Sequence, residues 1–271
     1  PHWQKSALRV LEQMQTDELL AEMVVDLLTS PHATVRDEAQ RVISLRPNWQ
    51  KEVLAVFSGL VEAKQIDSSK AQMIESIMLT FAGDEAFMSR VGSALSGEKT
   101  SISVKVRLLA AISFMESLPE VLTEHIKVSL ESSSPDIKGE ALAVVLRFGA
   151  GDALAGKVQQ IAVNGGELPE IRVAALESIL KHEGKVNDRG FEFLKGKAGD
   201  AQTPILLGGQ AARALGHLHL TSGNSSQALG LCKLLAGASP LQVTGLLQPF
   251  IKLGEGPKEV IKAWSSANLN A

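Results

Sequence analysis

PEIRVAALESIL, residues 169–180, places Ile171, Ala174, Ala175, Leu176, Ile179 and Leu180 at the three- and four-residue spacing of a helix with a wide buried face. The same order of branched apolar residue, basic residue, two variable positions and small residue stands in PDIKGEALAVVL (135–146) and ATVRDEAQRVI (33–43). Aligned on the small residue, the copies fall at Ala39, Met73, Ala110, Ala141, Ala175, Ala211 and Gly245, separated by 34, 37, 31, 34, 36 and 34 residues. The second, sixth and seventh copies lack the full pattern, so the period is a stronger signal than any one copy. Self-similarity at such a period marks a repeat architecture.

Each repeat reads as two helices, the motif helix being the second. The first is visible in DELLAEMVVDLL (17–28), KEVLAVFSGLVEA (51–63), PEVLTEHIKVSLE (119–131), DALAGKVQQIA (152–162) and SQALGLCKLLA (226–236). Ser30-Pro31, Ser134-Pro135, Thr203-Pro204 and Ser239-Pro240 predict a hydroxyl cap followed by proline in the first helical position, where its missing N–H costs nothing. Pro169 repeats the device without the hydroxyl. Gly83, Gly149, Gly151, Gly165, Gly166, Gly199 and Gly223 fall at the expected joints, where a left-handed backbone ends a helix.

A helix pair cannot bury both its faces alone, and stacking equal pairs gives a continuous core. The expected fold is therefore all-α: an α-α superhelix of about seven helical hairpins in one domain, 1–271. A half repeat stands at each end, WQKSALRVLEQM (3–14) and PKEVIKAWSSA (257–267). Neither half has the polar outer face of a capping repeat. With a first residue that is proline, not methionine, this reads as a fragment of a longer multidomain chain, or as ends that dock on something.

Composition narrows the function classes. A net charge of −3 argues against generic nucleic-acid binding, and 4% aromatics with no tyrosine argues against a base-stacking surface. The single cysteine, Cys232, allows no internal disulfide and no cysteine zinc cluster; flanked by Leu229 and Leu231 in a helix that packs, it reads as a buried apolar thiol. No apolar run reaches membrane-spanning length, so no membrane insertion is expected.

Arg36, Lys70, Arg107, Lys138 and Arg172 stand at matching places in successive second helices, three before the small residue, and the column lapses at Gly208 and Gln242. Two readings stay open. One is a partner-binding groove for acidic side chains on the concave face; the other is an ion-pair ladder or solvated rim. His217-x-His219 has the wrong spacing for one helical face, which disfavours a metal site. Gly149-Ala150-Gly151 and Gly208-Gly209 do not complete a phosphate-binding motif, and neither a nucleophile elbow nor a zinc-protease motif is present. No cofactor is expected, and an enzyme of the solenoid class ranks behind a scaffold or peptide-binding module.

The unit of 31–37 residues with TVRDEA, EIRVAA and DIKGEA in its second helix resembles HEAT repeats across nearly the whole chain. That resemblance implies an α-solenoid with an Asp in the inter-helix turn facing the motif Arg; Asp136 fits, and Pro169-Glu170 departs from it. GGQAARALGHLHLTSGNSSQALGLCKLLAGASPLQVTGLLQPF (208–250) also resembles the helical-repeat segment of large secreted proteins of planctomycete-type bacteria. In those a quinoprotein-like propeller precedes the repeats and a c-type cytochrome follows. This implies a periplasmic or cell-surface location, with redox chemistry in other domains; without it a cytoplasmic location stands equally.

Overall fold

The computed structural model describes residues 2–14, 19–221 and 225–252. Among them there are fifteen α-helices and no strand, and the chain divides into two compact units, Pro1–Glu140 and Ala141–Ala271, the division falling inside a helix. Unit 1 holds α1 (His2–Gln13), α2 (Ala21–Val25), α3 (Ala33–Ser44), α4 (Gln50–Val61), α5 (Ser68–Thr80), α6 (Glu85–Ser96), α7 (Ile102–Ser113), α8 (Thr123–Leu130) and the start of α9 (Pro135–Phe148). Short 3-10 turns extend α2 through Thr29 and precede α4 and α8. Unit 2 continues with α10 (Gly151–Val163), α11 (Pro169–Glu183), α12 (Asp188–Gly199), α13 (Ile205–Leu215), α14 (Ser225–Ala236) and α15 (Pro240–Ile251).

The packing is that of an α-α superhelix. In unit 1, α2, α4, α6 and α8 touch in order as one layer, and α1, α3, α5 and α7 touch in order as the other. In unit 2 the layers are α10, α12, α14 and α11, α13, α15. Among the described residues six hairpins, each an even-numbered helix packed on the odd one that follows, and the N-terminal half repeat α1 are present, and α8 is followed in the chain by α9 at the division between the units. The half repeat expected at 257–267 lies outside the described residues.

Burial defines the repeat register better than the motif does. On α9 the buried apolar positions are Ile137, Ala141, Leu142, Val144 and Val145; on α13 they are Leu207, Ala211, Ala212, Ala214 and Leu215. The identical pattern on α7 is Val104, Leu108, Leu109, Ala111 and Ile112. Leu108, not Ala110, therefore occupies the small-residue column, and the repeat spacing becomes 34, 35, 33, 34, 36 and 34 residues. Val106-Arg107-Leu108-Leu109-Ala110 mimics the motif two residues out of phase, because the run Val104–Ile112 is too apolar for periodicity to set its phase.

Helix starts follow the expected chemistry only in part. Pro135 and Pro240 open their helices, and Ser239 forms a full capping box with Gln242. Thr203, in contrast, is held by the Asp200 carboxylate at 3.1 Å, so Pro204 is the cap and α13 begins at Ile205. Ser30 accepts from the backbone of His32, and α3 begins at Ala33, beyond Pro31. Left-handed backbone occurs at Gly149 and Gly151 of the expected joints and also at Gly184, which closes α11 with φ +68°. Gly83, Gly165, Gly166 and Gly199 end their segments without it.

The core of unit 1 is richest where Phe57 and Phe87, both fully buried, lie 4.8 Å apart and Phe81 stacks on Phe87 at 5.4 Å. In unit 2, Cys232 is buried as expected, and burial pushes its thiol pKa up. No helix among the described residues is long and apolar enough to cross a membrane.

Candidate functional site

Two members of the basic column, Arg36 and Arg172, bind backbone carbonyls of their own fold. Arg36 donates from Nη1 to the Ser30 carbonyl at 2.7 Å, and Arg172 donates from Nε to the Ala162 carbonyl at 3.3 Å. Both acceptors close the first helix of the same hairpin, where the last carbonyls have no helical partner and the helix dipole favours a cation. The Arg172 guanidinium also lies 3.9 Å from the ring centre of Phe193 on α12. Lys70 is exposed on α5 and Lys138 is half-buried on α9. With the corrected register, the α7 member of the column is Lys105, half-buried, and not Arg107.

The lapse at Gly208 has a structural answer in the next repeat. Gln242 stands at the same place on α15, and its amide nitrogen donates to the Ala198 carbonyl at 2.8 Å. Ala198 stands to Gly208 as Ala162 stands to Arg172, ten residues earlier. A Cβ on Gly208 would meet the Gln242 amide nitrogen at 3.2 Å, so the missing side chain makes room for the neighbour that takes over its bond. The other end of the same amide accepts from the Ser239 backbone at 2.9 Å. Gln242→Ala removes both bonds and is expected to cost about 1–2 kcal/mol in chemical denaturation. Gln242→Glu keeps the cap but sets a carboxylate against the Ala198 carbonyl; unchanged stability would contradict the staple.

Arg107 belongs to a second system, ion pairs between neighbouring odd-numbered helices. It lies 3.8 Å from Glu75 of α5. Burial raises the pKa of Glu140 on α9, and the charge of Arg107 offsets part of that. At the start of unit 1, buried Glu38 accepts from Arg9 of α1 at 3.0 Å and from Arg41 at 2.8 Å, and Arg41 reaches back to Glu12. Burial opposes ionisation of Glu38, but the two guanidinium hydrogen bonds outweigh it and hold its pKa below the ordinary value. A depressed carboxylate stabilises the fold above the unfolded-state pKa of about 4.3 and loses that contribution as pH falls through the folded value. Glu38→Gln should therefore lower stability at neutral pH and flatten its decline in acid, measured by urea unfolding at several pH values.

In unit 2 the corresponding pair is Glu177 of α11, 4% exposed, with Arg213 of α13. Arg213 donates Nε at 2.7 Å and Nη2 at 3.1 Å, a two-pronged contact, and the His217 ring lies 4.0 Å away. Glu38, Glu177 and Arg213 lie outside the basic column. Their signal was available: a lone charge inside an apolar helix face, met by the opposite charge one repeat away.

Arg213 and His217 also line a groove of about 570 Å³ on α13 and α15. One end carries Ile205, Leu206 and Leu241, exposed by 74%, 80% and 69%. The other carries Arg213, His217 and Lys252. Gly209, where a Cβ would meet nothing, and Gly245, packed on the α13 backbone, keep the floor low. Burial lowers the His217 pKa; Glu177 raises it, and Lys252, Lys181 and Arg213 lower it. Among the described residues no three His, Cys, Asp or Glu side chains form a metal-sized cluster. No known family model matches the chain, and no curated protein matches it.

Proposed function

We propose that this chain is a non-catalytic helical-repeat scaffold of HEAT type, holding a protein partner or flanking domains through its helical surface. The observation that carries the reading is the cluster Ile205, Leu206 and Leu241: three large apolar side chains left in water along one open groove. Isolated exposed apolar residues are ordinary, whereas a contiguous set rimmed by polar groups is the mark of an interaction site. The hairpin staples from Arg36 and Arg172 give the motif arginine a task in every hairpin that has one, with backbone carbonyls in place of the turn Asp that the HEAT likeness implies.

A photo-crosslinking residue at Leu206, compared with one at exposed Lys185, tests this in the host cell. A defined protein adduct specific to position 206, reconstituted with purified components and lost in Leu206→Asp, is the expected result. Equal, diffuse labelling at both positions would overturn it.

A further inference from the structure

We propose that the α13–α15 groove binds an extended acidic peptide segment, its apolar side chain against Ile205, Leu206 and Leu241 and its carboxylates at Arg213, His217 and Lys252. This rests on the scaffold reading and names the chemistry of its partner.

The groove is two-ended. Its apolar end lies at the N-terminal turns of both helices, its basic end at their C-terminal turns. Leu206 and Arg213 are separated by about 10 Å along α13 at 1.5 Å per residue, and Leu241 and Lys252 by about 16 Å along α15. An extended chain covers these distances in about three to five residues at about 3.3 Å each. The glycine floor at Gly209 and Gly245 leaves room for a backbone to lie between the helices.

Charge selects the partner's sign. The groups facing His217 are Glu177 and Lys181 of α11, Arg213 of α13, and Lys252 just beyond α15. The one anion, Glu177, is committed to Nε and Nη2 of Arg213. Lys181 donates to the Leu146 carbonyl at 2.9 Å and Lys252 to the Gly216 carbonyl at 3.4 Å, contacts that leave both charges in place. Three cations against one anion leave an excess of positive charge, and neighbouring cations work against protonation of His217. A bound carboxylate would relieve that, so the occupant's chemistry is set by complementarity rather than by apolar contact alone.

Fluorescence anisotropy with labelled eight-residue peptides tests this on the full chain. The first peptide has leucine and phenylalanine at one end, a Gly-Ser spacer, and two aspartates at the other; in the second, lysines replace the aspartates. The acidic peptide should bind at least about tenfold more tightly than the lysine peptide, and weaken on raising salt to about 0.5 M. Lys252→Glu and Leu206→Asp, both at exposed positions, should each reduce its affinity about tenfold or more. The His217 ring, followed by NMR, should titrate at higher pH with the acidic peptide bound. Equal affinity for the two peptides, or no binding, would overturn the proposal, and a surviving photo-crosslink at position 206 would then leave the scaffold reading standing. Self-association in sedimentation velocity that Leu206→Asp abolishes would also overturn it, making the occupant a second copy of the chain.

Discussion

Phe87→Ala should cost about 4 kcal/mol, the largest loss expected from any single truncation in unit 1. Phe87 lies on α6 with no exposed surface, and it is the shared member of two ring contacts, 4.8 Å from Phe57 on α4 and 5.4 Å from Phe81 after α5. Its removal takes away apolar burial and both aromatic contacts, and leaves a cavity walled by large side chains on separate helices. Those helices are held by their own hairpins, so collapse into the void is limited. Chemical denaturation should show the loss, and hydrogen exchange should show α4, α5 and α6 losing protection together. A cost below about 1.5 kcal/mol would mean that the ring cluster relaxes as freely as a surface contact.

Gly245→Ala adds one methyl group and should nevertheless cost about 2–3 kcal/mol. A Cβ there would stand 2.7 Å from the Ala212 carbonyl oxygen and 2.9 Å from its carbon. Both are backbone atoms of α13, so no rotamer change relieves the clash and α13 and α15 must move apart. Gly156→Ala is the internal control. Gly156 lies inside α10 with nothing near its would-be Cβ, so the helix-forming preference of alanine should stabilise the protein by about 0.5–1 kcal/mol. The same substitution should thus take opposite signs at two helical glycines. Equal thermal shifts at the two sites would refute the close approach of α13 and α15.

Much of the fold was legible because helical repetition is written in local terms. The apolar spacing of 169–180 and its copies predicts second helices that the structure places at α3, α5, α7, α9, α11, α13 and α15. Legibility failed where a local pattern had two solutions. On α7 the motif could be laid on Val106–Ala110 or two residues earlier, and only burial distinguishes them. At Thr203 the hydroxyl expected to cap a helix bonds to Asp200 instead. The candidate site was less legible still. Five basic residues formed one column in the sequence, yet Arg36 and Arg172 close hairpins, Arg107 pairs with Glu75, and none of the five lines the groove.

The amino-acid sequence by itself determined that this protein is all-helical and that its helices come in hairpins of near-constant length. Helix periodicity, caps and turn glycines act over a few residues, and their information survives without coordinates. Tertiary structure alone decided which charges are spent inside the fold and which stay exposed. Whether Gln242 makes the bond that Gly208 cannot, or Glu177 meets Arg213, depends on contacts across 44 and 36 residues of chain. Such contacts are set by how one helix seats against the next. Their energies come from distance and burial, which no spacing along a single strand of letters records.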